Sequence, residues 1–189
     1  DIDFPLNGGT LIALVGSEHL WEAMPSRFMP PWCAWIFFPT ADFQTTGAVV
    51  RRHPLMDRFP HQGCFDWQFF HLVDGGAIAC LDALPRDLPA IVQAVDAPQR
   101  SKRLAYLFEA RVGRGTLIFT TFRLAEGLFD AAARRQIGAP ALAVDPAASY
   151  LLDQTIRYAL SDACAPTTTL LPAHLMSLCR RPTAERSFY

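Results

Sequence analysis

Short apolar runs, bounded by glycine, proline and polar residues, predict most of the strands in this chain. The run TLIALVG follows Asn7-Gly8-Gly9, and its β-favouring residues suit a buried strand of a parallel sheet. Residues 91–95 and 104–108 form two further apolar runs, separated by a polar stretch that suits an exposed connection. Strands therefore supply much of the predicted core.

A β-hairpin is the clearest local prediction. Residues 105–112 (AYLFEARV) and 116–121 (TLIFTT) are rich in β-favouring side chains, and Gly113-Arg114-Gly115 lies between them. We expect an antiparallel hairpin near residues 105–121.

An amphipathic helix is predicted from residue 146. Asp145 can cap it, Pro146 suits its first position, and apolar residues follow at helical spacing as far as Leu160. Beyond residue 161 the chain is interrupted by prolines, which is typical of an extended linker or a fraying end. We therefore divide the chain into an α/β domain at residues 1–161 and a C-terminal extension or linker at 162–189.

Prolines also interrupt the region after residue 24. Ser17 could cap a short helix that ends at Met24, but four prolines then deny regular structure to the following stretch. We expect an ordered loop there, with its aromatic rings packed on the core. These rings belong to Trp32, Trp35, Phe37, Phe38 and Phe43.

Composition and charge remove several classes of function. The chain has 189 residues, of which 51% are hydrophobic and 19% charged, so it can form one domain with a full core. Its net charge of −1 leaves no strong field for phosphates, which makes nucleic acid and anionic membranes poor partners. No apolar run approaches the roughly 20 residues of a membrane-spanning helix. We expect a soluble protein, cytoplasmic or exported.

The remaining general features concern processing, cysteines and metals. The chain begins Asp-Ile-Asp, without an initiator Met or a signal sequence, and we interpret it as a piece of a longer protein. Five cysteines without a CxxC pair predict neither a disulfide framework nor a zinc knuckle. His53, His61, Asp66 and His71 have suitable donor types, but their spacing fits no compact metal motif. We predict no metal and no cofactor.

A catalytic interpretation of residues 59–69 (FPHQGCFDWQF) centres on Cys64, with His61 or His71 as its base. A nucleophile elbow needs the pattern G-x-C-x-G on a strand-to-helix turn. Cys64 instead follows its glycine directly, and no glycine comes two residues later. We interpret Cys64 as structural, and keep a cysteine-dependent hydrolase or amidotransferase-like enzyme as the alternative.

Asp66, Trp67 and Gln68 are candidate ligand contacts in the same segment. A carboxylate and an amide beside an indole can hydrogen-bond hydroxyl groups while the ring stacks on a sugar. The competing interpretation is that Asp66 caps a helix starting at Trp67, with Trp67 in the core and Gln68 exposed. Both interpretations stay open.

Glu109 and Arg111 are two further candidate ligand contacts. They lie two residues apart in one arm of the predicted hairpin and therefore share a face. They can pair as ions at the sheet edge or reach one ligand together. Nothing in the sequence links Glu109 to a second acid in the way that a glycoside-cleaving pair requires.

Four segments, in this order, resemble one family of domains: GGTLIALV, HPLMDRFPHQGCFDWQFF, LAYLFEARVGRGTLIFTT and SYLLDQTIRYALS. They are similar to the class I glutamine amidotransferase-like (flavodoxin-like) domain that accompanies bacterial multidomain glycoside hydrolases of the β-galactosidase and β-glucuronidase type. The similarity covers residues 7 to 161 or so.

The resemblance implies both a fold and a role. The fold would be α/β, with an open, mostly parallel sheet flanked by helices, here as an incomplete or truncated flavodoxin-like domain. The role would be that of a non-catalytic accessory domain beside a catalytic barrel, for which 189 residues are too few. The expected partners are the catalytic domain of a larger glycoside hydrolase or a second copy of this chain, together with carbohydrate.

Overall fold

The computed structural model describes residues 3–28, 45–124 and 145–179, which form an α/β structure around one open, mixed sheet. Its strands are β1 Thr10–Leu14, β2 Ala23–Pro25, β3 Thr45–Val50, β4 Ala77–Cys80, β5 Ala90–Asp96, β6 Leu104–Val112, β7 Gly115–Thr120 and β8 Thr169–Leu170. Its helices are α1 Asp3–Leu6, α2 Phe70–Val73, α3 Pro146–Ala159 and α4 Pro172–Leu178, with 3₁₀ turns at Ser17–His19 and Trp67–Phe69. The rings of the predicted aromatic loop, from Trp32 to Phe43, lie outside the described residues.

Strand β6 is the centre of the sheet. Both β4 and β5 pair with Leu104 and Ala105, so these two strands lie on opposite edges of β6. By the same reasoning, β7 and β8 take opposite edges because both pair at Arg111 and Val112. The sheet then continues from β7 to β1, from β4 to β2 and from β5 to β3.

Most of the sheet is antiparallel, so the expectation of a mostly parallel sheet was wrong. Among the described strands, β1–β7 and β6–β8 are the parallel pairs. The pairs β2–β4, β3–β5, β4–β6, β5–β6 and β6–β7 are antiparallel. A continuous apolar run indicates that a strand is buried on both faces of its sheet. An antiparallel strand that is covered on both faces is apolar along its length in the same way, so such a run does not determine strand direction.

Two local predictions are confirmed. Strands β6 and β7 form the hairpin, and Gly113 at its tip has a φ of 61°, a left-handed conformation that favours glycine. Helix α3 begins where the cap was predicted, because the Asp145 carboxylate accepts a hydrogen bond from the Ala147 N–H at 2.9 Å. No described helix is long and apolar enough to cross a membrane.

The segment around β1 agrees only in part with its prediction. β1 is parallel to β7, as its sequence indicates, but it is half-buried because it ends the row of described strands. The helix expected from Ser17 to Met24 is replaced by the 3₁₀ turn Ser17–His19 and strand β2. Gly16, not Ser17, occupies the N-cap position of that turn, and glycine has no side chain that could cap it.

Helices α3 and α4 contribute to the two separate apolar clusters of the core. Tyr106 of β6 belongs to one cluster with Leu151 of α3, and Phe108 of β6 belongs to the other with Leu175 of α4. Residues two apart normally share a face of a strand, but the β5–β6 pairing shifts its register at Leu107. This irregularity separates Tyr106 from Phe108 and leaves Glu109 on the side of α3, where it bonds Tyr158.

The described part of the C-terminal extension is not a linker or a fraying end. Strand β8 adds to β6, and helix α4 follows with Leu175 and Leu178 buried. The prolines predicted an absence of regular structure. Pro172, however, lies in the first turn of α4, where backbone N–H groups make no hydrogen bond within the helix, so the N–H that proline lacks is not needed. Residues 169–178 therefore belong to the same folded body as the sheet.

Candidate functional site

Cys64 lies in a turn between β3 and the 3₁₀ turn Trp67–Phe69, not at a strand-to-helix elbow. The Nδ1 atom of His61 accepts a hydrogen bond from the Gly63 N–H at 3.0 Å, and His71 is exposed with its ring against Phe70. Within the described ranges, no hydrogen bond or ion pair joins Cys64 to either histidine. The structure does not assemble these three predicted residues into a catalytic unit.

Asp66 and Gln68 both bond the backbone around Trp67. The Asp66 Oδ1 atom accepts a hydrogen bond from the Trp67 N–H at 2.8 Å, as a cap does. The Gln68 side-chain amide donates to the carbonyl of Pro60. Asp66 therefore occupies the predicted N-cap position, although of a 3₁₀ turn, whereas Gln68 is half-buried and not exposed as that interpretation expected. Both polar side chains hold the local turn.

Trp67 itself does not lie in the core. It is 73% exposed, and its ring lies 5.5 Å from the Phe28 ring and 6.5 Å from the Phe70 ring. Phe28 and Phe70 meet edge to face at 5.5 Å. We call Phe28, Trp67 and Phe70 the aromatic patch, in which two half-buried rings support an exposed indole.

Glu109 is buried and pairs with residues other than Arg111. It is only 8% exposed, its Oε2 accepts a hydrogen bond from the Tyr158 hydroxyl at 2.7 Å, and its Oε1 lies 3.5 Å from the His53 Nε2. Arg111 is exposed, and no ion pair joins these two residues, both of which the structure describes. Their predicted pairing at the sheet edge is not seen.

Glu109, His53, Tyr158 and Cys164 form what we call the buried cluster. Burial, and then the Glu109 carboxylate, raise the pKa of the Tyr158 hydroxyl. Burial raises the pKa of the Cys164 thiol as well, and the charge of Glu109 adds to it. His53 Nδ1 accepts from the Leu55 N–H at 3.3 Å, so neutral His53 carries its proton on Nε2, facing Glu109. The cluster fastens α3 to β6.

Metal binding finds no support in the described part of the chain. No group of three or more His, Cys, Asp or Glu side chains there is arranged to hold a metal ion. Of the four donors considered from sequence, His53 faces Glu109, His61 and Asp66 bond nearby backbone, and His71 is exposed. These donors therefore have separate local roles.

A crevice of about 180 Å³ lies at the carboxyl ends of the parallel strands β1 and β7. The turn before β4, at Gly75-Gly76, forms another part of its wall. Its polar side chains are those of Ser17, Glu18, His19, Thr121 and Arg123. Sequence analysis did not identify these residues as a site, although they lie at or just beyond the ends of two strands that it predicted.

The crevice contains charges of both signs and one buried hydroxyl. The Nδ1 atom of His19 lies 2.9 Å from the Oε1 atom of Glu18, with both side chains substantially exposed. Thr121 is only 4% exposed, and its Oγ1 atom has no hydrogen-bond partner in the part of the chain that the structure describes. Such an atom is uncommon, since nearly all buried polar groups are hydrogen-bonded.

Asp74 links the crevice to the aromatic patch. Its Oδ1 atom accepts a hydrogen bond from the Phe28 N–H at 3.1 Å, and its carbonyl accepts one from the Arg123 Nη1 at 2.5 Å. One residue thus contacts a member of the patch and a residue that lines the crevice. The two features are neighbours on the surface.

A second cavity, of about 310 Å³, lies beside β5 and is lined in part by Arg51, Arg86 and Arg103. Arg103 donates hydrogen bonds to the carbonyls of Leu81, Leu84, Pro85 and Leu88. Its guanidinium therefore holds the turn before β5. Arg51 similarly donates to the side chain of Gln93. Both of these arginines have structural partners.

Comparison with known proteins places the chain in a family. No curated protein matches it. A family model described as a domain of unknown function, DUF8487, matches residues 5–180. Because this match spans most of the chain, the protein belongs to the DUF8487 family.

Proposed function

We propose that this chain is a non-catalytic accessory domain of a glycoside hydrolase and that it contacts carbohydrate through the aromatic patch. The observation that carries the proposal is the 73% exposure of Trp67, whose ring is nevertheless supported by Phe28 and Phe70. A supported, exposed indole offers a flat apolar surface to the C–H face of a sugar ring. The resemblance of the sequence to domains of β-galactosidase-type enzymes points to the same ligand class.

Asp66 and Gln68 add polar groups beside the indole. An ionised carboxylate has about four lone-pair positions, so Asp66 keeps acceptor capacity after it caps the turn at Trp67. The carbonyl oxygen of the Gln68 amide is a further acceptor, because its bond to Pro60 uses the NH₂ group. Sugar hydroxyl groups can donate to both.

The proposal extends to the origin of the fold and to the partner. A flavodoxin-like ancestor accounts for the parallel pair β1–β7, which lies beside the antiparallel hairpin β6–β7. The partner is the catalytic barrel of the parent enzyme or a second copy of the chain. The complete reading frame that contains this chain tests the first choice: a catalytic barrel supports it, and a complete frame without one overturns it.

Oligosaccharide binding tests the sugar contact directly. The probes are neutral β-linked oligosaccharides of galactose, glucose and xylose, two to six units long, titrated into the purified chain by calorimetry. We expect binding to the wild type and its loss in Trp67→Ala. Trp21→Ala is the matched control, because Trp21 is also exposed, at 57%, and its indole donates to the Met176 carbonyl. Undiminished binding by Trp67→Ala, or no binding of any probe, would overturn the proposal.

Turnover assays test the non-catalytic part of the proposal. We expect the purified chain to hydrolyse neither aryl glycosides, nor aryl esters, nor glutamine. The Cys64 alternative predicts turnover that Cys64→Ser abolishes, together with fast iodoacetamide labelling of Cys64 below the ordinary thiol pKa of about 8.5. Labelling no faster than that of the other cysteines would remove the basis of this alternative.

A further inference from the structure

We propose that the outer edge of β1 is a docking site for a second copy of this chain, which adds its own β1 in antiparallel orientation. Among the described strands β1 pairs only with β7, so its other edge is an end of the sheet. The inference rests on the proposed function for its choice of partner, a second copy of the chain, and uses no residue of the aromatic patch. The paired strands join two sheets across a twofold axis.

The backbone of β1 alternates between its two edges. The Gly9 carbonyl accepts a hydrogen bond from the Thr116 N–H at 3.1 Å. At the other end, the Val15 N–H donates to the Thr120 carbonyl at 2.9 Å. Odd-numbered residues of this segment therefore face β7, because successive residues of a strand direct their N–H and C=O groups to opposite edges. The groups that face the outer edge belong to Thr10, Ile12 and Leu14.

The outer edge is unpaired although the strand has the side chains of an internal one. Within the described ranges, the outward N–H and C=O groups have no hydrogen-bond partner. Ile12 and Leu14 pack against one apolar cluster of the core, and Leu11 and Ala13 pack against the other. A strand that is apolar on both faces is typical of the interior of a sheet. β1 thus has an apolar body and an open row of backbone groups, with which another strand can pair.

The other end strands of the described sheet are protected against such pairing, and β1 is not. β2 has three residues and ends at Pro25, and β8 has two residues. β3 has an irregular register between Thr45 and Gly47, where it pairs with β5. Short edges, proline and bulges are features by which proteins prevent edge-to-edge pairing. β1 has five residues in regular register with β7, without proline or a charged side chain.

A second β1 fits this edge in one symmetric register. When Ile12 lies opposite Ile12 of the second copy, Thr10 lies opposite Leu14 at both ends. Each facing pair exchanges two hydrogen bonds, so every outward N–H and C=O group gains a partner. The strand contains no charged residue, so no like charges meet across the axis. Because each copy then has its β1 edge occupied, the assembly closes as a dimer and does not grow further.

Self-association of the purified chain is the first test. We expect the mass from sedimentation equilibrium to rise from that of the 21.0 kDa monomer towards twice that value between micromolar and millimolar concentration, and no further. A chain that stays monomeric at millimolar concentration would overturn the proposal. A mass that keeps rising beyond the dimer would also overturn it, because a twofold pairing of β1 edges is closed.

Amide hydrogen exchange locates the interface without any variant. The N–H groups of Ile12 and Leu14 face the outer edge, so they should exchange at least about tenfold more slowly in the dimer than in dilute protein. The N–H groups of Leu11 and Ala13 face β7 and should exchange slowly at both concentrations. A dimer in which Ile12 and Leu14 gain no protection uses another surface and contradicts the proposal.

Thr10→Pro tests the outer hydrogen bonds. Thr10 is exposed and is the first residue of β1, where proline is tolerated, and the N–H that proline lacks does not face β7. We expect at least about tenfold weaker self-association, because each copy loses one donor at the interface. The melting temperature of dilute protein should change little.

Thr169→Pro is the matched control. Thr169 is also an exposed threonine at the first position of an end strand. The Thr168 carbonyl accepts from the Arg111 N–H, so the Thr169 N–H faces away from β6. This control should leave self-association unchanged, and equal weakening by the two proline variants would count against the β1 edge.

The outcomes separate this inference from the proposed function. A chain that stays monomeric but binds oligosaccharides would overturn the β1 edge and leave the carbohydrate contact standing. A chain that dimerises through β1 but binds none of the probes would overturn the carbohydrate contact and leave the β1 edge standing. Trp67→Ala should leave the mass unchanged at every concentration, since Trp67 belongs to the aromatic patch and not to β1.

Discussion

The aromatic patch and the buried cluster place two candidate ligand contacts of the sequence in opposite environments. Trp67, the most apolar of the candidates, is 73% exposed, whereas Glu109, an acid, is 8% exposed. Glu109 can be buried because Tyr158 donates to it and His53 lies beside it. Trp67 stays outside because Asp66 fixes the turn that carries it. Residue type suggested a ligand contact in both places, but the partners decide which one is open to a ligand.

Glu109→Ala should cause the largest loss of stability among these variants, as expected for a residue with a structural role. It removes a buried hydrogen-bond partner of Tyr158 and leaves a small cavity, so we expect a loss of about 3 kcal/mol in the free energy of unfolding, measured with urea. Arg111→Ala, at an exposed position of the same strand, should change it by less than about 0.5 kcal/mol.

A double-variant cycle sharpens this prediction. Because Glu109 and Tyr158 share a hydrogen bond, the Glu109→Ala loss should be smaller in a Tyr158→Phe background. Equal losses in the two backgrounds would show that the bond contributes nothing. Oligosaccharide affinity should stay at the wild-type value in every folded variant of the cluster, and a loss of affinity would contradict the separation of the two regions.

Alkaline pH should weaken the buried cluster without affecting the aromatic patch. The folded protein raises the pKa values of Tyr158 and Cys164 by burial and by the charge of Glu109. In the unfolded chain these groups ionise near pH 10 and 8.5, at about their ordinary values. Their contribution to stability is therefore complete below about pH 8.5 and decreases as the pH rises further, because the unfolded state then releases protons that the folded state keeps.

Urea midpoints between pH 7 and pH 10.5 measure this decrease. In the double variant Tyr158→Phe, Cys164→Ser, stability should decrease less steeply with pH than in the wild type. The decrease that remains is due to other buried groups such as Tyr106 and Cys80, whose pKa values burial also raises. Trp67→Ala should follow the wild-type slope. A double variant as steep as the wild type would show that the cluster is not the source.

The smallest expected change in stability belongs to Trp67→Ala. Because the side chain is mostly exposed, the free energy of unfolding should change by less than about 0.5 kcal/mol. Trp21→Ala should cost about 1 kcal/mol, since its indole bonds Met176 of α4. Thermal melts of both variants provide the measurement. A larger loss in Trp67→Ala than in Trp21→Ala would make Trp67 a structural residue.

Local features of the fold could be predicted from sequence. The cap at Asp145 acts within its own turn, and the hairpin tip at Gly113 acts between adjacent strands. Outside the hairpin, the direction of strands such as β5 could not be predicted, because an apolar run fits parallel and antiparallel neighbours equally well. The β8 and α4 elements were missed for a related reason: Leu170 is buried by a sheet whose central strand lies about 60 residues earlier.

The candidate site was harder to predict than the fold. The capping role of Asp66 depends on its direct neighbour, and sequence identified it as one of two interpretations. The burial of Glu109 depends on Tyr158, 49 residues away, and the irregular register at Leu107 decides which face Glu109 takes. The crevice depends on the pairing of β1 with β7, which brings Glu18 near Thr121. The spacing of residues along the sequence does not reveal contacts between segments that are far apart in the chain.

The parallel pairing of β1 with β7 also sets an order of events during synthesis. Thr10 pairs with Thr116, so 116 − 10 = 106 further residues must be added before the two partners exist together. At roughly 5–20 residues per second, translation takes about 5–20 s to add them. During that time the β1 segment lacks the strand that it pairs with among the described residues, so this part of the sheet can be completed only late in synthesis.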